Sequence, residues 1–452
     1  MGILSAMNKS VSGLTAQSFA LENISGNIAN SQTTAFKRTD TSFQDLIQSG
    51  TSKVEQMAAG NVLASSRSTI GLQGSVEASQ TKTFMAVQGN GFFVVQKKTG
   101  EIDGEAVFSP TTMYSRRGDF KLDQEGYLVN GAGYYLSGLE VDSSTGNAVG
   151  DKPGVIKIKN DVYPAAPTTR IDYKLNLPNY PKTVNADSTI AGSELWSTPV
   201  TSVTSAELDD FKENSISGGT VTVYDPMGTP IPVQLRWAKT VKADSTVPVE
   251  DTWRLFYQTD ENASGTDPIW LDTGQAYTFD SSGAMTAPAT GSISIANFTA
   301  GGTNLGTITL DHGTTGITQT YDQNGSARVR QLTQDGVPTG NFVDVSISTG
   351  GRITANYSNG KTLDIYEIPL KSFAGESWLR PQDGGAYMET RESGPPVTSS
   401  TGEIQGSALE ASNVDISEEF TKLIVTQQAF SANSRVITTA DSMMNDVLNI
   451  IR

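Results

Sequence analysis

The sequence predicts a multidomain, mainly β protein whose N- and C-terminal α-helices form a coiled-coil-like inner domain, with its β domains nested by insertion. Three observations carry this. Near the C-terminus, Ile416, Phe420, Leu423, Gln427, Phe430, Ser434, Ile437, Asp441, Met444, Leu448 and Ile451 follow alternating four- and three-residue steps. That spacing is the a/d seam of a coiled coil. At the other end, Met7, Leu14, Leu21 and Ile28 recur at seven-residue spacing, flanked by Ile3, Leu4, Val11 and Ile24. Between the two ends, short apolar runs are separated by Gly, Asp and Asn turns, the pattern of strands. A lone amphipathic helix cannot bury its stripe in water. Two of them at opposite ends predict that the termini meet and that they also need neighbours.

The first helix is predicted from residue 3 to about 29, with Asn27 and Asn30 at its end. Residues 41 to 70 are poor in apolar side chains and read as an extended connector. Phe84 to Val87, the turn Gln88-Gly89-Asn90-Gly91 and Phe92 to Val95 together predict a β-hairpin. Further strands are predicted at Phe120-Lys121-Leu122, Tyr127-Leu128-Val129 and Tyr134-Tyr135-Leu136. The composition then shifts toward Ser, Thr, Asp and Ala. Thr220 to Tyr224 and Val233 to Trp237 flank the hairpin turn Asp225-Pro226-Met227-Gly228, and Trp253 to Tyr257 forms another strand. Strands resume at Ala327 to Leu332, Phe342 to Ile347, Ile353 to Tyr357 and Thr362 to Ile368. The last helix starts near Asn413 or Asp415, either a good N-cap, and runs to about 451. These elements divide the chain into a helical domain (1–30 and 413–452), an extended linker region (31–72 and 393–412), an inner β domain (73–160 and 320–392) and an inserted outer β domain (161–319).

The 452 residues carry a net charge of −16 and no basic cluster beyond Lys97-Lys98 and Arg116-Arg117, both read as solvated surface. Nucleic acid and anionic membrane are therefore poor partners. No apolar run approaches a membrane span, and the N-terminus has none of the regions of a cleavable secretory signal. There is no cysteine, hence no disulfide or thiolate chemistry. His312, the only histidine, is assigned to a surface loop. The pairs Asp209-Asp210 and Glu418-Glu419 are read as exposed faces and the five tryptophans as core. No catalytic, cofactor-binding or metal site is predicted, and no enzyme.

Four motifs resemble the axial rod and hook family of the bacterial flagellum. They are Asn23 to Lys37, Ala86 to Val95, Arg117-Gly118-Asp119-Phe120 through Leu128, and the pair Leu409 to Asp415 with Gln427 to Ser434. Within them the family pattern falls on Asn27, Asn30, Thr34, Phe36, Lys37, Gly89, Gly91, Phe92, Gly118, Phe120, Ser412, Asn413, Val414, Asp415, Gln428, Phe430 and Asn433. Ala35 departs from it, standing where the family has Gly. Gln331 to Gly336 and Tyr357 to Gly360, with the large insertion, resemble hook rather than rod subunits; a rod-type subunit and a surface adhesin-like β module are the alternatives. The resemblance implies a homopolymeric, hollow, curved tube outside the cell. It implies as partners a rod subunit, a hook–filament junction protein, a hook cap and the flagellar type III export apparatus. The seam residues Met7, Leu14, Leu21, Ile28, Ile416, Phe420, Leu423, Phe430, Ile437, Met444, Leu448 and Ile451 are the expected assembly surface.

Overall fold

The computed structural model describes residues 3–46, 61–196, 200–243 and 250–450. Two helices, Ile3–Ala29 and Ile416–Ile450, bound a chain whose regular structure in between is, among the described residues, mostly strand. Their ends obey local chemistry. Asn30 closes the first helix by donating from Nδ2 to the Gly26 carbonyl at 2.9 Å. Asp415 caps the second: its Oδ1 accepts the backbone N–H groups of Ser417 (2.8 Å) and Glu418 (3.1 Å).

The chain forms two compact units, one of residues 1–160, 343–356 and 361–452, the other of 161–342 with 357–360. The inserted unit therefore extends past 319. The reason is strand pairing: Arg328–Gln334 runs antiparallel to Arg170–Pro178, so Gln331 to Gly336 lies in the inserted unit instead of the returning domain.

In the first unit the main sheet runs in the order Phe342–Ile347, Arg352–Tyr357, Thr362–Glu367, Tyr134–Val141, Phe93–Ile102, Met113–Ser115, Ala386–Met388, Arg380–Gln382. The expected hairpin across Gly89-Asn90-Gly91 is absent. Met85–Gln88 pairs instead with Glu403–Gly406, and Phe93 to Val95 with Met113–Ser115. Gly89 (φ 86°) and Gly91 (φ 150°) turn the chain through angles that L side chains resist, but they send it to a different sheet. The described residues of the two segments expected as linkers form strands, while 47–60 lie outside the described residues. Thr39–Leu46 pairs with Asn61–Ser68. Ala408–Glu410 pairs with Val76–Ala78. Their strands are short of apolar residues because they are held by long-range ladders more than by a core of their own.

The inserted unit is a two-sheet sandwich. One sheet is ordered Ser292–Ile295, Ile308–Asp311, Arg170–Pro178, Ile317–Thr320, and the other Ser202–Val203, Trp270–Phe279, Asp251–Gln258, Pro230–Val241, Ser215–Tyr224. Alternation decides the faces: along Arg170–Pro178, Ile171, Tyr173, Leu175 and Leu177 point inward and are fully buried. They meet Val233, Leu235, Trp237, Trp253, Leu255 and Tyr277 of the other sheet. Each aromatic ring buried there contributes about 4–6 kcal/mol of gross transfer energy. The other face of the second sheet is covered by Trp196, Val203 and Phe211. Phe211 sits on a short helix, Leu208–Glu213, that the sequence pattern did not reveal.

Several side chains expected at the surface are inside. His312 has no exposed surface. Its Nδ1 lies 2.8 Å from the Tyr173 carbonyl, which can only accept, so Nδ1 carries the proton. Nε2 then accepts from the Tyr277 hydroxyl at 2.9 Å. Burial lowers the imidazole pKa from its ordinary value. Arg116 and Glu419 are also buried. Of the five tryptophans, Trp378 is 63% exposed.

Candidate assembly surface

The terminal helices run antiparallel in close contact, and small and polar residues make that contact. A Cβ at Gly13 would lie 2.9 Å from Asn433 Nδ2, so only glycine admits that side chain without a shift. Asn27 Nδ2 donates to Glu419 Oε2 at 3.0 Å in a buried site. The same register places Ala20 opposite Thr426, and both are buried. The intramolecular seam is thus Gly13, Ala20 and Asn27 against Asn433, Thr426 and Glu419, with seven-residue spacing on both helices.

The apolar heptad sits one residue further along the first helix. Met7, Leu14, Leu21 and Ile28 are only half-buried. On the second helix Leu423, Ile437 and Met444 are half-buried, while Ile416 (41%), Phe420 (49%) and Phe430 (38%) are exposed. Ile451 and the side chain of Leu448 lie outside the described residues. Gln427, Ser434 and Asp441, read as polar seam positions, face solvent. Leu14, Phe19 and Phe430 line one open depression shared by both helices. The pair therefore leaves this apolar row only partly covered, with Ile416, Phe420 and Phe430 exposed.

A buried polar junction roots the helices. Lys37 Nζ meets Glu410 Oε1 at 2.5 Å and the Leu72 carbonyl at 2.6 Å. Glu410 Oε1 also accepts the Gly74 N–H at 2.8 Å, and Arg116 Nη1 lies 3.9 Å from Oε2. All three charged side chains are 0–1% exposed. Burial pushes the Lys37 amine below its usual range, and Glu410 offsets this in part. Asn413 ties the two chain ends: its Oδ1 accepts the Arg38 N–H at 2.8 Å, and its Nδ2 donates to Thr69 Oγ1 and the Leu72 carbonyl, each at 3.2 Å. Arg38 bonds Glu418 at 2.9 Å, and hydrogen bonds from Lys422 and Arg38 hold the Glu418 carboxyl below the usual range. Ala35, at φ 55°, donates its N–H to the Glu410 carbonyl at 2.8 Å. It occupies the left-handed region that glycine favours.

The junction thus gathers Asn27, Phe36, Lys37, Asn413 and Asp415 from opposite ends of the chain. Ser412 accepts the Val414 N–H at 3.3 Å beside it. Thr34 lines a neighbouring cavity with Asn30 and Tyr387. Gly89, Gly91, Phe92, Gly118 and Phe120 lie in the β region. There Phe92 packs edge-on against Phe373 and Tyr387, and Phe120 against Phe93. Gln428 is exposed. Sequence reasoning missed Glu410, Glu419 and Arg116 as partners. For Glu410 there was a signal: it is the only acid between residues 404 and 414, in a run of small and apolar residues.

A protein with long uncovered terminal helices, a polar root and nested β units is built as an assembling subunit. Three family profiles match in chain order: the flagellar hook protein FlgE/F/G D1 domain over residues 86–166, the flagellar basal body protein FlaE D2 domain over 194–337, and the flagellar basal body rod FlgEFG protein C-terminal region over 405–450. The chain belongs to the rod and hook family of flagellar axial proteins. It is 28% identical to the flagellar hook protein FlgE of Brucella suis over 460 aligned residues, covering all of both chains. It is 27% identical to that of Salmonella typhimurium, covering 98% of this chain and all of the relative. The crystal structure of Helicobacter pylori flagellar hook protein FlgE2 aligns with 74% of this chain and all of its own, at 16% identity and a TM-score of 0.46. Among the described residues no helix is long and apolar enough to cross a membrane.

Proposed function

We infer that this chain is the structural subunit of the bacterial flagellar hook. Copies polymerise into a hollow, curved tube that bends while passing torque from rod to filament. The observation that carries the reading is the apolar row that the subunit's own helix pair leaves partly uncovered, with Leu14 half-buried and Phe420 and Phe430 exposed. A stripe of that kind orders and buries itself against copies of itself. The β units form the outer layers, whose Ser-, Thr- and Asp-rich surfaces make replaceable contacts during bending. The partners at the two ends are a rod subunit and a hook–filament junction protein, with a hook cap present during growth. The subunit reaches the cell exterior through the flagellar type III export apparatus. The work is structural, with no reaction catalysed.

Electron microscopy of the purified full-length chain at high concentration tests this. Curved tubes from the full chain, and none from a chain lacking residues 1–30 and 416–452, are expected. A full-length chain that stays monomeric would overturn the reading.

A further inference from the structure

The apolar heptad cannot by itself define how the two helices are aligned. Met7, Leu14, Leu21 and Ile28 repeat every seven residues. A slip of one heptad therefore sets apolar against apolar again, the ambiguity that polar seam residues remove in coiled coils. The seam contains two such layers. Asn27 bonds Glu419, and Gly13 receives Asn433. They lie fourteen residues apart on both helices, so one register satisfies both. A slip of one heptad in one direction places Glu419, fully buried here, opposite Ala20, which offers no donor. In the other direction it places Asn433 opposite Ala20, whose Cβ fills the space that Gly13 leaves open. Lys422, on the same helix, stays on Glu419 Oε1 at 2.9 Å, but Oε2 loses its donor, and a buried charged oxygen left without a hydrogen bond is costly.

We propose that Gly13 and Asn433, with Asn27 and Glu419, act as a two-point register lock that aligns the chain ends. The alignment decides which parts of the apolar stripe stand at one level and are offered to the next copy. Gly13 and Asn433 are positioning residues for polymerisation. This rests on the hook reading and adds to it the residues that set the geometry of the repeating unit.

The test is a mutant cycle in the full-length chain, read as the critical concentration for tube formation by sedimentation. Gly13→Asn drives a side chain into Asn433 and raises the critical concentration by about tenfold or more, equivalent to about 1.4 kcal/mol. Asn433→Ala leaves a gap and raises it less. The double variant Gly13→Asn/Asn433→Ala returns the polar group from the other helix and recovers to within about threefold of wild type, a coupling that independent sites lack. Thermal melting of the inserted unit serves as a folding control and stays unchanged. Gly13→Asn polymerising as wild type does, or a double variant no better than Gly13→Asn, would overturn the register lock and leave the hook reading intact. A wild-type chain that forms no tubes would overturn the hook reading and this inference together.

Discussion

Removing Glu410 is the sharpest perturbation of the helix root. Glu410→Ala leaves the Lys37 ammonium and the Arg116 guanidinium inside the protein without their carboxylate, and the Gly74 N–H without its acceptor. Breaking a buried pair from one side costs about 3–5 kcal/mol, and an orphaned buried N–H adds about 1–3 kcal/mol. A total of about 4–8 kcal/mol is a large part of the roughly 5–15 kcal/mol that stabilises an ordinary domain. Glu410→Gln keeps an acceptor for Gly74 and costs less. Peptide-resolved hydrogen exchange in a urea series measures this. Protection falls at 35–38, 72–78 and 408–413. The fluorescence of Trp196, Trp237, Trp253 and Trp270, all in the inserted unit, keeps its wild-type urea midpoint. The exposed pair Lys82–Asp344, at 60% and 38% exposure, is the internal comparison; Lys82→Ala costs under about 1 kcal/mol. If Glu410→Ala costs no more than Lys82→Ala, the junction does not hold the chain ends and the argument fails.

Three further outcomes are expected. His312 is neutral in the fold with a lowered pKa, so the unfolded chain takes up its proton first as pH falls below about 6.5. The inserted unit then loses up to about 1.4 kcal/mol per pH unit until the folded imidazole itself titrates, and a urea series between pH 7 and 5 shows this slope in wild type but not in His312→Gln. Gly118→Ala sets a Cβ 1.7 Å from the Met85 carbonyl oxygen and forces the backbone apart at a cost of about 2–3 kcal/mol in the urea midpoint. Ala35→Gly stays within about 1 kcal/mol of wild type, because relief of the left-handed strain offsets the lost chain entropy. Ala35→Val, measured the same way, is clearly worse.

Features set by local chemistry were legible in the sequence. The first helix ends at Ala29 and the second begins after Asp415, because Asn30 and Asp415 satisfy orphan backbone groups there. The Asp225 to Gly228 hairpin was legible for the same reason: Gly228 adopts φ 83° between alternating strands. What depends on distant partners was not legible. Met85–Gln88 could not be seen to pair with Glu403–Gly406, more than three hundred residues away. Arg116 and Glu410 were hidden because charged residues are ordinarily outside, and only their mutual approach makes burial tolerable. The residues that join the two helices within the subunit were not singled out for a specific reason. Two adjacent rows share the seven-residue period, and apolarity singled out Leu14 and Leu21. Close approach of the backbones instead selected Gly13, Ala20 and Asn27. We propose that the apolar row beside them is the one offered to other copies.

That assignment is tested most directly by hydrogen exchange of residues 416–446 in the same chain, first as a proven monomer in dilute solution and then in sedimented tubes. In the monomer the uncovered stripe cannot hold a long helix, so exchange is fast; in the tubes the same amides are strongly protected. Equal, high protection in both states would mean that the helix pair is complete on its own, and the claim that its apolar stripe is an assembly surface would be contradicted.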